Sequence, residues 1–334
     1  MSRLSQLRRW LLEPEPPGVG IEFRPGEIIV ARFRENGRGE MDLCLRAPLP
    51  PGVVDFSMLT PNLSEPEALG NFLGKLFEEA GIQGNRLGLT VPDILARISV
   101  QELPENPRSR AEAKELLRFQ LRKALPFDVS EARLAFQPVP GTHPSFLTGI
   151  LHEEVVSQYE KLFEELGFHV GVIETSSLSL LKLWEGVVVE SLTPEQDYLF
   201  LNLEETYFTL SLVRNRNQLV LMRTVGHRSP RLDAEASESQ KPPSYQTESL
   251  LRELLSTLIY YKERLGGDSL ARVYYRSLRL DLGDLAEWLG DQFEVPAEPF
   301  DLRRAVRIGS HLTVAEPLAT AAGAASGAAR GKAA

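Results

Sequence analysis

The sequence predicts an α/β protein made of two related halves, the first of them interrupted by an insert. Three observations carry this prediction. Three strands, a helix and a further strand open the chain; the same order returns in the second half; and different text lies between the two copies. Displacing one copy on the other by 180 residues sets Val19 on Leu199, Ile21 on Leu201, Ile28 on Phe208, Val30 on Leu210 and Phe33 on Val213. Strand and turn positions then coincide without a gap, as an internal duplication requires.

The first residues carry Leu4, Leu7, Trp10 and Leu11 at helical spacing with Arg3, Arg8 and Arg9 between them, until Pro14, Pro16 and Pro17 stop the pattern. A short helix is expected over residues 1–13. It docks on its own domain, or lies on an acidic membrane surface or in a partner's groove. GVGIEF, the turn at Pro25 and Gly26, EIIVARF, the turn from Asn36 to Gly39 and MDLCLRA then read as three antiparallel strands. Residues 65–80 place Leu69, Phe72, Leu73, Leu76 and Phe77 on one helical face with Gly81 as the stop, and the strand RLGLTVP follows.

The insert opens with the strand ARISVQELP. A helix capped by Ser109 and ended by Pro126 comes next, then the strands EARLAFQPV and SFLTGIL. HEEVVSQYEKLFEELG forms an amphipathic helix stopped by Gly167, and FHVGVIET is another strand. In the second half, DYLFLNL, YFTLSLV and QLVLMRTV are strands joined by turns at Glu204 to Thr206 and Arg214 to Asn217. Residues 227–246 are polar and Pro-rich, nearly without apolar anchors, and read as a mobile loop. A long helix with Thr247 as its N-cap and Gly266-Gly267 as its end follows, then the strand ARVYYRSL and the helix LGDLAEWLGDQF. A last short helix near VAEPLATAAGAAS and a small basic tail finish the chain.

Composition narrows the function. At 334 residues the chain has room for two domains at roughly 150 residues each. A net charge of −9 with scattered basic residues makes a poor sheath for phosphate backbones, so nucleic acid is not an expected partner. Cys44 is the single cysteine, which excludes an intramolecular disulfide and a cysteine-built zinc site. No run approaches the roughly 20 apolar residues of a membrane span, and the N-terminus lacks the pattern of a secretory signal. A cytoplasmic location is the expectation.

Motif searches return little. There is no G-x-x-x-x-G-K-[ST] phosphate loop, no H-E-x-x-H and no G-x-S-x-G turn. His143, His152, His169, His227 and His311 are scattered, with no pair at helical spacing, and no metal site is expected. Glu153 and Glu154 open a helix, where they complement its dipole. Arg118, Arg122 and Lys123 read as a solvated basic face, and Tyr260 and Tyr261 as core positions of a long helix.

The duplicated strand-rich unit with its insert resembles the actin-like ATPase superfamily. The stretches TVPDILARISVQELP, ELLRFQLRKALPFDVSEARLAF, YEKLFEELGFHVGVIETSSLSLLKL and AEPLATAAGAAS resemble, within it, PilM-like proteins of type IV pilus assembly. The resemblance spans roughly residues 18–326. It implies an actin-like, ribonuclease H-like duplicated fold of two lobes: lobe 1 over 18–190 with an inserted subdomain at about 97–168, and lobe 2 over 191–312. Residues 1–17 form an N-terminal extension, and 313–334 a terminal helix and disordered tail. It also implies a cytoplasmic scaffold peripheral to the inner membrane that grips the short N-terminal peptide of a PilN-like membrane protein beside the insert, and that meets pilus motor components. The helix from Arg110 to Leu125 and the strand from Arg97 to Leu103 are the expected walls of that groove.

Actin-like nucleotide sites use the first tight turn of each lobe, with an Asp, one residue, then a Gly, so that backbone N–H groups approach phosphates and a carboxylate serves Mg²⁺. Here Glu22, Phe23 and Arg24 stand in the first turn. Asn202, Leu203 and Glu204 stand in the second, followed by Glu205 and Thr206, of which Thr206 alone is kept. A Gly-Gly turn expected after ARVYY is replaced by Arg276, Ser277, Leu278 and Arg279. These changes imply a degenerate site, a pseudo-ATPase with no bound ATP or Mg²⁺. The alternatives are a divergent ATPase or phosphotransferase that still binds ATP, the equivalent component of a type II secretion platform, and a filament-forming protein.

Overall fold

A computed structural model describes residues 17–34, 39–140, 143–226, 244–277 and 285–312. The helix expected over 1–13, residues 227–243 of the loop, His227, Leu278, Arg279 and the terminal helix lie outside them. In chain order the first part holds β1 (Val19–Arg24), β2 (Glu27–Phe33), β3 (Glu40–Pro48), α1 (Pro66–Glu79) and β4 (Arg86–Val91). Then come β5 (Arg97–Glu102), α2 (Arg110–Leu121), β6 (Ala132–Val139), β7 (Ser145–His152), α3 (Glu153–Glu165), β8 (His169–Thr175) and α4 (Ser176–Ser191). The second half holds β9 (Asp197–Leu203), β10 (Tyr207–Arg214), β11 (Gln218–Gly226), α5 (Ser244–Glu263), β12 (Leu270–Ser277), α6 (Leu285–Phe293), β13 (Ala297–Pro299), α7 (Leu302–Ala305) and β14 (Arg307–Ile308).

Two mixed sheets share one plan. The first runs β14-β3-β2-β1-β4-β8 and the second β11-β10-β9-β12-β13, with three antiparallel strands followed by parallel ones in each. The duplication extends to register: Val19 faces Arg32 and Phe23 faces Ile28, while Leu199 faces Leu212 and Leu203 faces Phe208. Both copies also break register at the equivalent place, between Arg32 and Phe33 and between Leu212 and Val213. The gap-free match ends there. Arg32 faces Leu43 but Leu212 faces Leu221, so the second hairpin of lobe 2 is two residues shorter.

Helix α4 was not among the expected elements. Its Gly186, its serines and the run Val187-Val188-Val189 give it poor intrinsic propensity. Packing on two sides overrides this. Leu180, Leu183, Trp184 and Val188 of α4 join Ile29, Ala31 and Phe33 of lobe 1 to Tyr198, Phe200 and Tyr274 of lobe 2 in one core. Each such side chain contributes about 1.5–3 kcal/mol on burial. Trp184 sits 4.6 Å from the Phe300 ring and 5.5 Å from that of Tyr274.

Three further boundaries differ from expectation. Helix α3 lies inside the range expected for the insert, yet Val155, Tyr159, Leu162 and Phe163 pack in the lobe 1 core with Ile21, Phe23 and Phe77. Helix α2 begins after its Ser109 cap as expected but ends at Leu121, ahead of Pro126. Helix α5 starts at Ser244, so Thr247 lies within it and residues 244–246 belong to the helix rather than to the loop. On α5, Tyr261 is buried as expected, whereas Tyr260 is exposed to solvent.

Candidate functional site

The first hairpins of the two lobes converge on one cleft. In lobe 1, Arg24 and Glu27 close a tight turn over Pro25 and Gly26, and Gly26 takes φ +74°, where a side chain would be strained. In lobe 2, the Glu204 N–H donates to the Tyr207 carbonyl at 2.9 Å, so Glu205 and Thr206 occupy the matching turn. The duplication thus brings Glu22, Arg24, Glu204 and Thr206 to the walls of one cavity of about 90 Å³. Asn202 lies just behind, fully buried.

Side chains fill this junction. Arg24 Nε donates to Glu22 Oε1 at 2.8 Å, and Arg24 Nη1 lies 3.5 Å from Glu27 Oε1. Arg276, from the end of β12, donates through Nη1 to Asn202 Oδ1 at 3.0 Å and to Glu204 Oε1 at 2.7 Å. The third sequence-predicted element therefore reaches the second. Glu22 is 1% exposed, and its Oε2 has no hydrogen-bond partner among the described residues. Burial pushes the carboxyls of Glu22 and Glu204 up from the usual carboxylate range, and Arg24 offsets this only in part. Burial also works against the Arg24 guanidinium, but Glu22 and Glu204 outweigh it and hold the charge in place.

Asp93 is the residue that sequence reasoning missed. It opens a single 3₁₀ turn after β4 and is 1% exposed. Its Oδ1 accepts from the Ser177 N–H at 2.9 Å, capping the start of α4 from 84 residues away. Its Oδ2 accepts from Ser177 Oγ at 2.5 Å and from Thr209 Oγ1 of lobe 2 at 2.7 Å. Asn202 Nδ2 adds a longer contact at 3.4 Å, and the Asp93 N–H donates to the Tyr207 hydroxyl at 3.2 Å. Burial pushes its carboxyl up despite the opposing hydrogen bonds from Ser177 and Thr209. The available signal was an aspartate between Pro92 and the apolar Ile94 and Leu95, directly after an apolar strand.

The insert forms a second candidate surface. Its sheet runs β5-β7-β6. Ala113, Leu117 and Leu121 of α2 pack with Ala132, Phe146 and Ile150 on one face. By strand alternation, Ile98 and Val100 point to the other face, beside Leu147, Gly149 and Leu151. Ile98, Val100 and Leu147 are half-buried and belong to none of the packed cores. Gly149 leaves room for Ile98, since a Cβ there would stand 3.2 Å from Ile98 Cδ1. Of the two elements expected to wall one groove, β5 thus turns Ile98 and Val100 away from α2, while Ser99 and Gln101 share its face and Gln120 of α2 donates to the Glu102 carbonyl at 3.2 Å. The insert also touches lobe 2, where Gln218 Nε2 donates to the Pro140 carbonyl at 2.5 Å.

Other candidates are structural. His152 Nδ1 accepts from the Glu154 N–H at 3.3 Å and its ring lies edge-on to Phe127. Arg133 Nε donates to Glu153 at 2.8 Å, and this bond holds the Glu153 carboxyl below its usual range. Among the described residues no group of His, Cys, Asp or Glu is placed to hold a metal ion, and no helix is long and apolar enough to cross a membrane.

No protein-family model matches the chain, and no curated protein matches it in sequence. Solved structures do. A structure described as the PilM-PilN type IV pilus biogenesis complex matches with a TM-score of 0.77 at 20% identity, over 95% of this chain and 99% of that one. A Bacteroides thetaiotaomicron protein described as having an actin-like ATPase fold and unknown function matches with a TM-score of 0.52 at 10% identity, over 92% of this chain and 96% of that one. The cytoplasmic domain of EpsL, an inner-membrane component of the Vibrio cholerae type II secretion system, matches with a TM-score of 0.49 at 11% identity, over 86% and 93%. The chain has the actin-like two-lobe fold that the repeated sheets describe.

Proposed function

We propose that this chain is a peptide-binding scaffold of a type IV pilus assembly platform, and that its nucleotide site is degenerate. The observation that supports the binding role is the half-buried apolar strip of Ile98, Val100 and Leu147 on the sheet face that α2 leaves uncovered. Such a strip beside a strand suits an extended segment, with apolar pockets giving affinity and flanking polar groups giving register. The likeness to the PilM-PilN complex points to the cytoplasmic N-terminus of a PilN-like membrane protein as the occupant. The chain would then act at the cytoplasmic side of the inner membrane.

The cleft supports the second part. A nucleotide-sized ligand needs roughly 300–1,000 Å³, and the cavity offers about 90 Å³. Arg24 stands where backbone would approach phosphate, and Glu22, Glu27, Glu204 and Glu205 would meet a polyphosphate with like charge. A triphosphate with Mg²⁺ does not fit these residues, and no catalytic step is assigned to them.

Fluorescence anisotropy with a labelled PilN-like N-terminal peptide tests the binding role. Saturable binding is expected, weakened about ten-fold or more by Val100→Asp, which would bring an unpaired charge into the strip. Binding that Val100→Asp leaves intact removes this groove as the site. Calorimetric titration of Mg-ATP should show no binding heat; micromolar binding would restore the nucleotide reading.

A further inference from the structure

The insert carries a second surface, on the outer side of α2 and away from the apolar strip. Phe119 is 71% exposed, the most exposed large apolar side chain among the described residues. Arg122 and Lys123 follow it by three and four residues and are exposed, half-buried Arg118 precedes it with its Nε enclosed, and the Arg122 guanidinium lies 5.4 Å from its ring centroid. None of these three cations has a carboxylate within 4.0 Å among the described residues, whereas Arg32, Arg46, Arg133, Arg214, Arg223 and Arg304 all do. Of the nearby acids, Glu112 accepts from the Arg108 N–H, Asp128 accepts from Ser130 while the Arg122 charge also acts on it, and Glu115 lies one turn back on the helix.

Cations in the last turn of a helix also complement its dipole, which accounts for their position. It does not account for a phenyl ring held out in water among them. On a chain of net charge −9, a local group of unpaired cations around a projecting aromatic ring is complementary to an anionic, partly apolar surface.

We infer that the Phe119, Arg118, Arg122 and Lys123 end of α2 is a membrane contact, which sets this face of the insert against the headgroups of an anionic bilayer. The ring enters the headgroup boundary while the three cations stay at the lipid phosphates. The surface goes beyond the peptide groove and does not depend on it, because the two lie on opposite faces of the insert sheet.

Cosedimentation of the full chain with vesicles of equal parts phosphatidylglycerol and phosphatidylethanolamine, beside vesicles of phosphatidylcholine, tests this. Partitioning into the anionic vesicles alone is expected, falling as salt rises. The variant Arg118→Gln, Arg122→Gln, Lys123→Gln should bind roughly a hundred-fold more weakly, at roughly five-fold per cation. Phe119→Gln should bind roughly ten-fold more weakly. Thermal melts check that both variants fold, and their binding to the peptide should match the parent. A parallel variant with Arg3, Arg8 and Arg9 changed to Gln should keep the vesicle binding. The inference fails if the α2 variants partition like the parent, if phosphatidylcholine binds equally, if all binding is lost with the N-terminal arginines, or if the α2 face binds polyglutamate but no vesicle. Loss of peptide binding with vesicle binding intact would overturn the groove alone.

Discussion

Lobe 1 and lobe 2 repeat one frame and differ where it is open to change. Strand order, first-hairpin register and the position of the break in β2 and β10 are shared. The link from β4 to α3 spans residues 92–152 and holds a three-stranded sheet with its own small core, whereas the matching link from β12 to α6 covers only 278–284. A loop at the end of a buried parallel strand can therefore accept a subdomain without disturbing the frame. Both proposed surfaces of this chain lie on that addition. The first hairpins teach the complementary lesson. They kept their register while their side chains diverged into a charged, packed junction, because the register is held by backbone pairing and the apolar faces rather than by the turn residues.

Three perturbations sharpen the comparison. Asp93 ties the start of α4 to both lobes, so Asp93→Ala should destabilise the protein by about 2–4 kcal/mol in denaturant unfolding, because it leaves buried donors of Ser177 and Thr209 without an acceptor. A loss below about 1 kcal/mol would mean that the lobes are held by the α4 core alone. The two equivalent turns should respond unequally. Gly26→Ala forces a side chain into a left-handed position and should cost about 1 kcal/mol, while Thr206→Ala should stay within about 0.5 kcal/mol. Equal costs would show that the turns share a conformation.

The smallest effect concerns pH. Burial pushes the Glu204 carboxyl well above the ordinary carboxylate value of 4.5 in the folded chain, so between 4.5 and that raised value the folded state binds the extra proton. Protonation therefore favours folding, and the cost of burying the charge grows as pH rises through this window. Glu204→Gln removes that dependence. The melting temperature of the parent relative to Glu204→Gln should rise as pH falls from neutral toward 4.5. A parent melting temperature that falls relative to Glu204→Gln over this range would instead show that Arg276, at 2.7 Å, holds the carboxyl low.

Much of the frame was legible because its signals are local. The apolar, β-branched run in 27–33, the alternation in 207–212, the Pro25-Gly26 turn and the Ser109 cap, which accepts from the Glu112 N–H at 3.1 Å, each act within a few residues. The resemblance to actin-like proteins, whose nucleotide sites use the first turn of each lobe, then placed Glu22, Arg24, Asn202, Glu204 and Thr206 together. It could not show that Arg276 would bridge Asn202 and Glu204. Helix α4 was illegible for the opposite reason: its own propensity is weak, and its stability comes from packing between two sheets, with core partners as distant as Ile29 and Tyr274.

The amino-acid sequence by itself determined the strands, the repeat, the place of the insert and the charge of the two turns, since these rest on periodicity, turn chemistry and residue identity. Tertiary structure alone decided that Asp93 would cap a helix and grip lobe 2, that α3 would leave the insert for the lobe 1 core, and that α2 would cover only one face of the insert sheet. Those outcomes depend on which buried faces meet, and burial pairs residues whose separation along the chain carries no local signal.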